Sequence, residues 1–393
     1  MGRPLRIARC LGATVLGFAA LAGCGGDDRG AKRVKVGVVL SITGQAGTLG
    51  TAEGDTVDAF KDSLSDVGGA RIRWIVDDDG SDPTKAVAAV NRLVREDHVD
   101  ALICCSTSSN TLAVLPAVDA AQRPAISLGD AAGVDAPAGE KKWLFQTPYN
   151  DRLTLDAATD DLRGRFLSPV AFLAADDAYG ENGLKEFKAL ARQKGIQVSG
   201  FERFGDTDRD MTAQVTRLQR GKPDAYVIWG VPPAAAIAER NIRGLGVDVP
   251  VYQSFGAANQ AFLDLSGKAA EGTLIAGGQL PIARDLDGDN PLEKRIISFA
   301  DRFKNETGST PNAYAGYTYD AMVIIRDAAK RTVESGAEGE ALGRPLRDEI
   351  EKTHNLLGVT GIYSYSPDDH AGLDKRSVAM IEVIDGKFRA ATH

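Results

Sequence analysis

Val34-Lys35-Val36-Gly37-Val38-Val39-Leu40 runs directly into Ser41-Ile42-Thr43-Gly44-Gln45-Ala46-Gly47. Five of the first seven residues are Val or Leu, and hydroxyls and glycines follow at once. Such a run reads as a buried strand opening into a Gly-rich loop. Beyond it, Val57, Phe60 and Leu64 share one face of a helical pattern, and Arg71 to Val76 is the next strand. Asp82 then caps a helix that has Pro83 in its first turn and Val87, Val90 and Val94 on its inner face. Val99 to Cys104 (strand), Asn110 to Ala121 (helix) and Ala125 to Leu128 (strand) complete the series. That order requires an α/β fold with a parallel, doubly wound sheet and right-handed crossovers.

After Pro148-Tyr149-Asn150 the pattern restarts. Val170 to Ala174, Ile196 to Phe204, Ala225 to Trp229 and Val249 to Gln253 read as strands. Between them, Glu181 to Lys194, Met211 to Gln219 and Pro233 to Arg243 read as helices. A helix-rich part follows, with Pro291 to Glu306, Ala321 to Val333 and Leu342 to Thr353. The tail returns to strands, Ser377 to Ile384 and Lys387 to Arg389, around an Asp385-Gly386 hairpin turn. Two α/β lobes of similar size are expected. The loops opening at Ser41, Ser106, Gly129, Ala175 and Gly230 should converge on a cleft beyond the strand carboxyl ends.

The 393 residues are 43% hydrophobic, 25% charged and 6% aromatic, a mix that suits one or two packed domains. Lys and Arg number 46 against 54 Asp and Glu, a net charge of −8, and no basic run offsets it. Such a surface repels phosphate backbones, which excludes nucleic-acid binding as a working reading. The glycines and prolines are dispersed, which argues against fibrous or low-complexity structure.

Arg3, Arg6 and Arg9 precede the apolar run Leu11 to Ala20, too short to span a bilayer but suited to a signal-peptide core. It ends in Leu21-Ala22-Gly23-Cys24, which resembles a bacterial lipobox. The resemblance implies residues 1–23 as a lipoprotein signal peptide, cleavage before Cys24 and diacylglycerol on its thiol. The mature chain then has 370 residues and, without the three arginines, a charge of −11. Two acyl chains anchor stably where one does not, and residues 24–31 read as a polar tether. Of the remaining cysteines, Cys10 leaves with the signal, and Cys104 and Cys105 are adjacent. Neighbours in a strand point to opposite faces and a bond between them is strained, so two buried thiols are expected.

Reaction chemistry is scarce. Gly44, Gly47 and Gly50 are spaced G-x-x-G-x-x-G, not as the dinucleotide fingerprint, and neither a phosphate loop nor a nucleophile elbow occurs. His98, His354, His370 and His393 lack metal spacing. Asp285, Asp287 and Asp289 begin like a calcium loop, but Asn290 replaces the turn glycine and Ile296 the bidentate Glu, so a loop capping the next helix is the better reading. Asp77-Asp78-Asp79 reads as a strand-end loop and cap, while Asp206, Asp208 and Asp210 favour a helix's positive end. No catalytic residue, metal or cofactor is expected.

Binding groups are better represented. Cys105-Ser106-Thr107-Ser108-Ser109-Asn110 places hydroxyls and N–H groups at a strand-to-helix turn, which suits a carboxylate. Plain N-capping by Ser109 or Asn110 accounts for the same residues. Ser127-Leu128-Gly129-Asp130-Ala131-Ala132-Gly133 is the equivalent turn one strand later. Tyr179, Phe255 and Tyr314, at loop ends, supply either cleft walls or core.

In order, these segments resemble the type I periplasmic solute-binding proteins of the branched-chain amino acid (Leu/Ile/Val-binding-like) class, the receptors of ABC importers. The markers are Gly37 to Gly44, the acidic strand end with Asp82-Pro83, the Ser108-Ser109 turn, Asp177-Ala178-Tyr179-Gly180, Gly205 to Thr212 and Ala270-Glu271-Gly272. The likeness covers about residues 32–390. It implies two lobes joined by three hinge crossovers near Asn150, Gly277 and Leu373. The first lobe would comprise 32–150 and 278–373, the second 151–277 and 374–393. It also implies a ligand carboxylate on Ser108 and Gly129, with Tyr179 in the family's Tyr-Gly motif.

Three departures stand out. Ala131 replaces a threonine that grips the amino-acid backbone, Phe255 replaces the acid that pairs with the α-ammonium, and Ser81 and Thr107 replace paired cysteines. Either Asp130 takes over from that acid or the ligand has no ammonium. An aromatic or aliphatic carboxylate stacked on Phe255 fits the second case. Trp143 to Asp151 also looks like the branch associated with lignin-derived aromatic acids. The expected function is an extracytoplasmic, lipid-anchored receptor that grips a small carboxylate solute with Ser108, Ser109 and Gly129 between Tyr179, Phe255 and Tyr314. It would deliver the solute to an ABC permease. A ligand sensor signalling to a membrane partner requires the same trap.

Overall fold

The computed structural model describes residues 32–129, 139, 141–205, 207–286, 289–337 and 342–391. The opening strand is β1 (Lys32–Leu40), with Val36, Val38, Val39 and Leu40 wholly buried. β2 (Ala70–Asp78), β3 (Ala101–Cys104), β4 (Ala125–Ser127) and β5 (Leu144–Gln146) join it in the order β2-β1-β3-β4-β5, every pair parallel. Helices α1 (Gly47–Phe60), α2 (Pro83–Arg95) and α3 (Ser108–Ala121) make its crossovers. Asp82 caps α2 as expected, accepting the Thr84 N–H at 2.7 Å.

The chain then passes through α4 (Asp151–Gly164) into the second sheet. β6 (Val170–Ala175), α5 (Ala178–Lys194), β7 (Val198–Phe204), α6 (Thr212–Gln219), β8 (Ala225–Trp229), α7 (Ala234–Gly244), β9 (Val251–Gln253), α8 (Gln260–Ser266) and β10 (Leu274–Gly278) alternate. Next come α9 (Glu293–Thr307), α10 (Ala313–Glu334), α11 (Gly343–Glu351) and a small antiparallel pair, β11 (Leu356–Leu357) with β12 (Ile362–Tyr363). β13 (Val378–Ile384) and β14 (Lys387–Ala390) close the second sheet in the order β14-β13-β10-β9-β8-β6-β7. Its first five strands are parallel and the tail hairpin is antiparallel.

The chain thus crosses between lobes three times, after β5, after β10 and before β13. The first two crossings meet at Tyr149. A Cβ on Gly278 would lie 2.2 Å from the Tyr149 hydroxyl, which itself donates to the Thr360 carbonyl. Tyr363 and Tyr365 donate to the carbonyls of Thr147 and Gln146 at 2.8 and 2.7 Å. Asp320 of α10 accepts the N–H groups of Val359 and Thr360 at 2.7 and 2.9 Å, and burial pushes its carboxyl up to about 6.

Four expectations change. Cys104 and Cys105 form a disulfide rather than two thiols. Alternation of faces holds only inside a strand, and β3 ends at Cys104. α4, α8, β5, β10, β11 and β12 lie where the sequence reading places no element. α10 begins eight residues before Ala321, capped by Asn312. α3 begins at Ser108, two residues before Asn110.

Candidate functional site

Loops at strand carboxyl ends build the site from both lobes. On the first, Thr107 caps α3, its Oγ1 accepting the Asn110 N–H at 3.2 Å. The N–H groups of Ser108 and Ser109 therefore lie in the first turn, where a helix supplies no acceptor and its dipole is positive. Gly129 presses against this turn. A Cβ there would stand 2.5 Å from the Thr107 carbonyl carbon and 2.6 Å from the Ser108 nitrogen, so only glycine fits. Ser127 Oγ holds the loop by accepting the Gly129 N–H at 3.1 Å.

A buried polar chain backs the turn. Ser106 Oγ accepts the Ser41 N–H at 2.8 Å and is hydrogen-bonded to Glu53 of α1. Ser41 Oγ donates to Asp79 at 2.7 Å, and Asn110 Nδ2 donates to the other Asp79 oxygen at 2.8 Å. Glu53 is wholly buried. That desolvation pushes its carboxyl up to about 8, against the pull of the Ser106 bond and with the push of the Asp79 charge. Near neutral pH, Glu53 is protonated and does not repel an anion at the turn.

On the second lobe, Asp177 caps α5 by accepting the Gly180 N–H at 2.7 Å, which sets Tyr179 in the first turn. Ser254, after β9, donates to the Gly230 carbonyl at 2.6 Å and seats the neighbouring Phe255. The Phe255 ring meets Tyr179 edge-on at 5.8 Å, Trp229 at 6.3 Å and Tyr149 at 6.2 Å. Phe255 is therefore both wall and core. Tyr314 comes from the first turn of α10, where Asn312 accepts the Ala315 N–H at 3.0 Å.

Ser108, Gly129, Tyr179, Phe255 and Tyr314 line a single cavity of about 430 Å³, mouth included, with Leu49, Leu128 and Val231 as further apolar wall. Ser109 faces an adjoining hollow with Ser81, Asn110 and Pro233; Thr107 and Asp177 border both spaces. Asp130 and Cys24 lie outside the described residues. Asp177 is the charged lining residue that the sequence reading leaves out of the site. Its position in Asp177-Ala178-Tyr179-Gly180, just after a strand, was the available signal. A wider hollow of about 1450 Å³ lies at the amino ends of β9 and β10, lined by Arg165, Arg240, Arg243, Lys268 and three acids. No aromatic ring lines it, and ligands of such sheets sit at the opposite strand ends, so the smaller interlobe cavity is the candidate solute site.

Two doubly wound lobes, three crossings and a cleft walled from both lobes define a type I periplasmic binding protein. The chain belongs to the periplasmic binding protein family, whose sequence model matches residues 33–387. The family and fold are those of solute-binding proteins, not enzymes. The chain is 24% identical over 345 residues to the leucine-, isoleucine-, valine-, threonine- and alanine-binding protein of Pseudomonas aeruginosa, covering 85% of this chain and 87% of that one. An extracellular ligand-binding receptor from Rhodopseudomonas palustris HaA2 superposes with a TM-score of 0.87 at 30% identity, covering 91% and 99% of the two chains. A Rhodopseudomonas palustris solute binding protein in complex with benzoate is similar in fold alone, with a TM-score of 0.78, 18% identity and 91% and 95% coverage. Among the described residues, no helix is long and apolar enough to cross a membrane.

Proposed function

We propose that this chain is an extracytoplasmic lipoprotein, held by acyl groups on Cys24, that captures a small carboxylate-bearing solute and delivers it to an ABC permease. The solute is branched-chain amino acid-like or an aromatic acid. The observation that carries the reading is the meeting of the Ser108 turn and Gly129 with Tyr179, Phe255 and Tyr314 in one interlobe cavity. Ser108, Ser109 and Gly129 hold the carboxylate, and the aromatic rings cover the remainder. Asp130 stays a candidate contact from the loop beside Gly129. The lobes divide at the crossings: 32–150 with 278–373, and 151–277 with 374–393. Residues 1–23 are the signal and 24–31 the tether.

The test is calorimetry of the purified protein against leucine, valine, benzoate and cinnamate. One class should bind, and Ser108→Ala should weaken it at least about 10-fold, since a hydrogen bond to a charged group contributes about 1.5–3 kcal/mol. Binding unaffected by that substitution sinks the carboxylate assignment. Anchoring is tested separately: Cys24→Ala should move the protein from the membrane fraction to the soluble one.

A further inference from the structure

Ser106 stands between the solute cavity and a buried acid. It belongs to the cavity wall, two residues before Ser108. Its Oγ accepts the Ser41 N–H at 2.8 Å and is hydrogen-bonded to one oxygen of Glu53. Glu53 is wholly buried, and its other oxygen, Oε1, has no hydrogen-bond partner among the described residues. Asp79, behind the same serines, is well supplied by contrast. Its Oδ1 accepts from the Ser41 hydroxyl and the Ser81 N–H at 2.7 and 2.8 Å, and its Oδ2 from Asn110 at 2.8 Å.

A buried carboxylate with one hydrogen bond, close to a second carboxylate, is a poor place for a negative charge. The groups facing α1 do not offset it. Arg302 of α9 lies two turns further along, over the Phe60 ring at 4.6 Å, and donates to the Ala59 carbonyl. α10 brings the phenols of Tyr314 and Tyr319. On α1 itself Asp55 and Asp58 add only negative charge, and Asp58 is paired with Lys61 at 2.6 Å.

The proton on Glu53 decides what Ser106 offers. A hydroxyl has one hydrogen and two acceptor sites. With Glu53 protonated, its O–H and the Ser41 N–H fill both acceptor sites, and the Ser106 hydrogen is left to donate into the cavity. With Glu53 ionised, its proton has gone to solvent and the Ser106 hydrogen turns to the carboxylate. The serine then brings the solute no donor.

We infer that Glu53 is a positioning residue for solute capture: its proton turns Ser106 into a donor for the solute's carboxylate, so capture is coupled to one proton held behind the α3 turn. The inference rests on the cleft reading above and adds a residue that never touches the solute. Burial holds the Glu53 proton to about pH 8, so the donor form prevails below that point and is lost above it. One pH unit higher, about one molecule in ten keeps the proton, and the Kd rises about 10-fold.

The experiment is calorimetry of the full chain from about pH 6 to about pH 9 with leucine, valine, benzoate and cinnamate. For whichever compound binds, the wild-type Kd should rise about 10-fold across that range. Glu53→Gln, whose amide donates to Ser106 at every pH, should show a single Kd throughout. Comparing the two proteins also cancels any titration of the solute itself. Ser106→Ala should bind more weakly at the acid end and lose the slope. A wild-type Kd that stays constant overturns the inference, as does a Glu53→Gln variant that keeps the slope. A slope that survives in Ser106→Ala belongs to plain repulsion by Glu53 and removes the donor switch; that comparison holds whether or not Glu53→Gln folds. Ser108→Ala separates the two levels: binding weakened there, with a flat wild-type profile, keeps the carboxylate site and removes only the coupling. Failure of all four compounds to bind the wild type removes both.

Discussion

At Glu53, placement and titration are one fact. Its carboxyl sits wholly buried behind Ser106, and the folded chain holds its proton to about pH 8, against an ordinary value of 4.5. A raised acid means that the folded state binds more protons than the unfolded one between those limits, so stability falls as pH rises through that window. The slope is about 1.4 kcal/mol per pH unit for one group. Glu53→Gln should therefore flatten the denaturation midpoint's decline from about pH 5 to 8, and be more stable than the wild type at pH 8. An unchanged slope in urea titrations at several pH values contradicts this. Gly129 makes a second residue-scale case. Its missing Cβ lets two strand-end loops touch, and Gly129→Ala must displace the Thr107–Ser108 backbone. Overpacking of this kind costs about 1–3 kcal/mol, and the displaced N–H groups should raise the Kd at least 10-fold, measured by calorimetry on the folded variant.

At the scale of elements, caps set where the site's helices begin. Thr107 starts α3 and Asp177 starts α5, so Ser108 and Tyr179 fall in first turns facing the cleft. Thr107→Ala should cost about 1 kcal/mol of stability, with Thr107→Ser restoring most of it. Chemical denaturation reads both, and an alanine variant as stable as wild type would deny the cap its role. α4 shows the opposite case, a helix hidden by its own polar interior. Asp151, Thr154, Thr159 and Asp161 are buried, which breaks the apolar stripe that marks a helix. The two threonines bond carbonyls of their own helix, whereas the two aspartates also reach remote partners. Asp151 accepts the Trp229 indole N–H at 3.1 Å, and Asp161 accepts the Tyr252 hydroxyl at 2.5 Å. The sequence reading starts α10 late, at Ala321, for a different reason: its first two turns hold Tyr314, Tyr317 and Tyr319, which do not read as an obvious helix start.

For the whole molecule, the proposed capture requires two lobes sharing one hinge. Tyr149, Tyr363 and Tyr365 tie the chain together near the crossings through backbone carbonyls, and the candidate cavity lies between the lobes away from those bonds. Shifting open to closed from 1:99 to 99:1 takes about 5.5 kcal/mol of differential affinity. A ligand touching both lobes, with charge-assisted bonds on at least one, supplies energies of that order. A bound solute at 100 times its Kd should stabilise the fold by about 2.7 kcal/mol, and small-angle scattering should show a smaller radius of gyration. Stabilisation without compaction would mean that one lobe alone holds the ligand.

Much of this was written locally. The β1 run, the strand–helix alternation, the Asp82-Pro83 cap and the Asp385-Gly386 hairpin depend on neighbours within a few residues, and so the two-lobed α/β class and its family were legible in the chain. Five of the seven proposed ligand contacts lie in a single cavity, and four of those, Ser108, Gly129, Tyr179 and Phe255, follow strand ends, a position that the alternation already marks; Tyr314 instead opens a helix that follows another helix. Three features needed the folded chain: the disulfide at Cys104–Cys105, the polar helix α4 and the turn of Asp177 toward the cleft. In α4, the bonds that settle Asp151 and Asp161 span 78 and 91 residues of sequence. A buried charge takes its meaning from the partner it meets, and only packing brings that partner near.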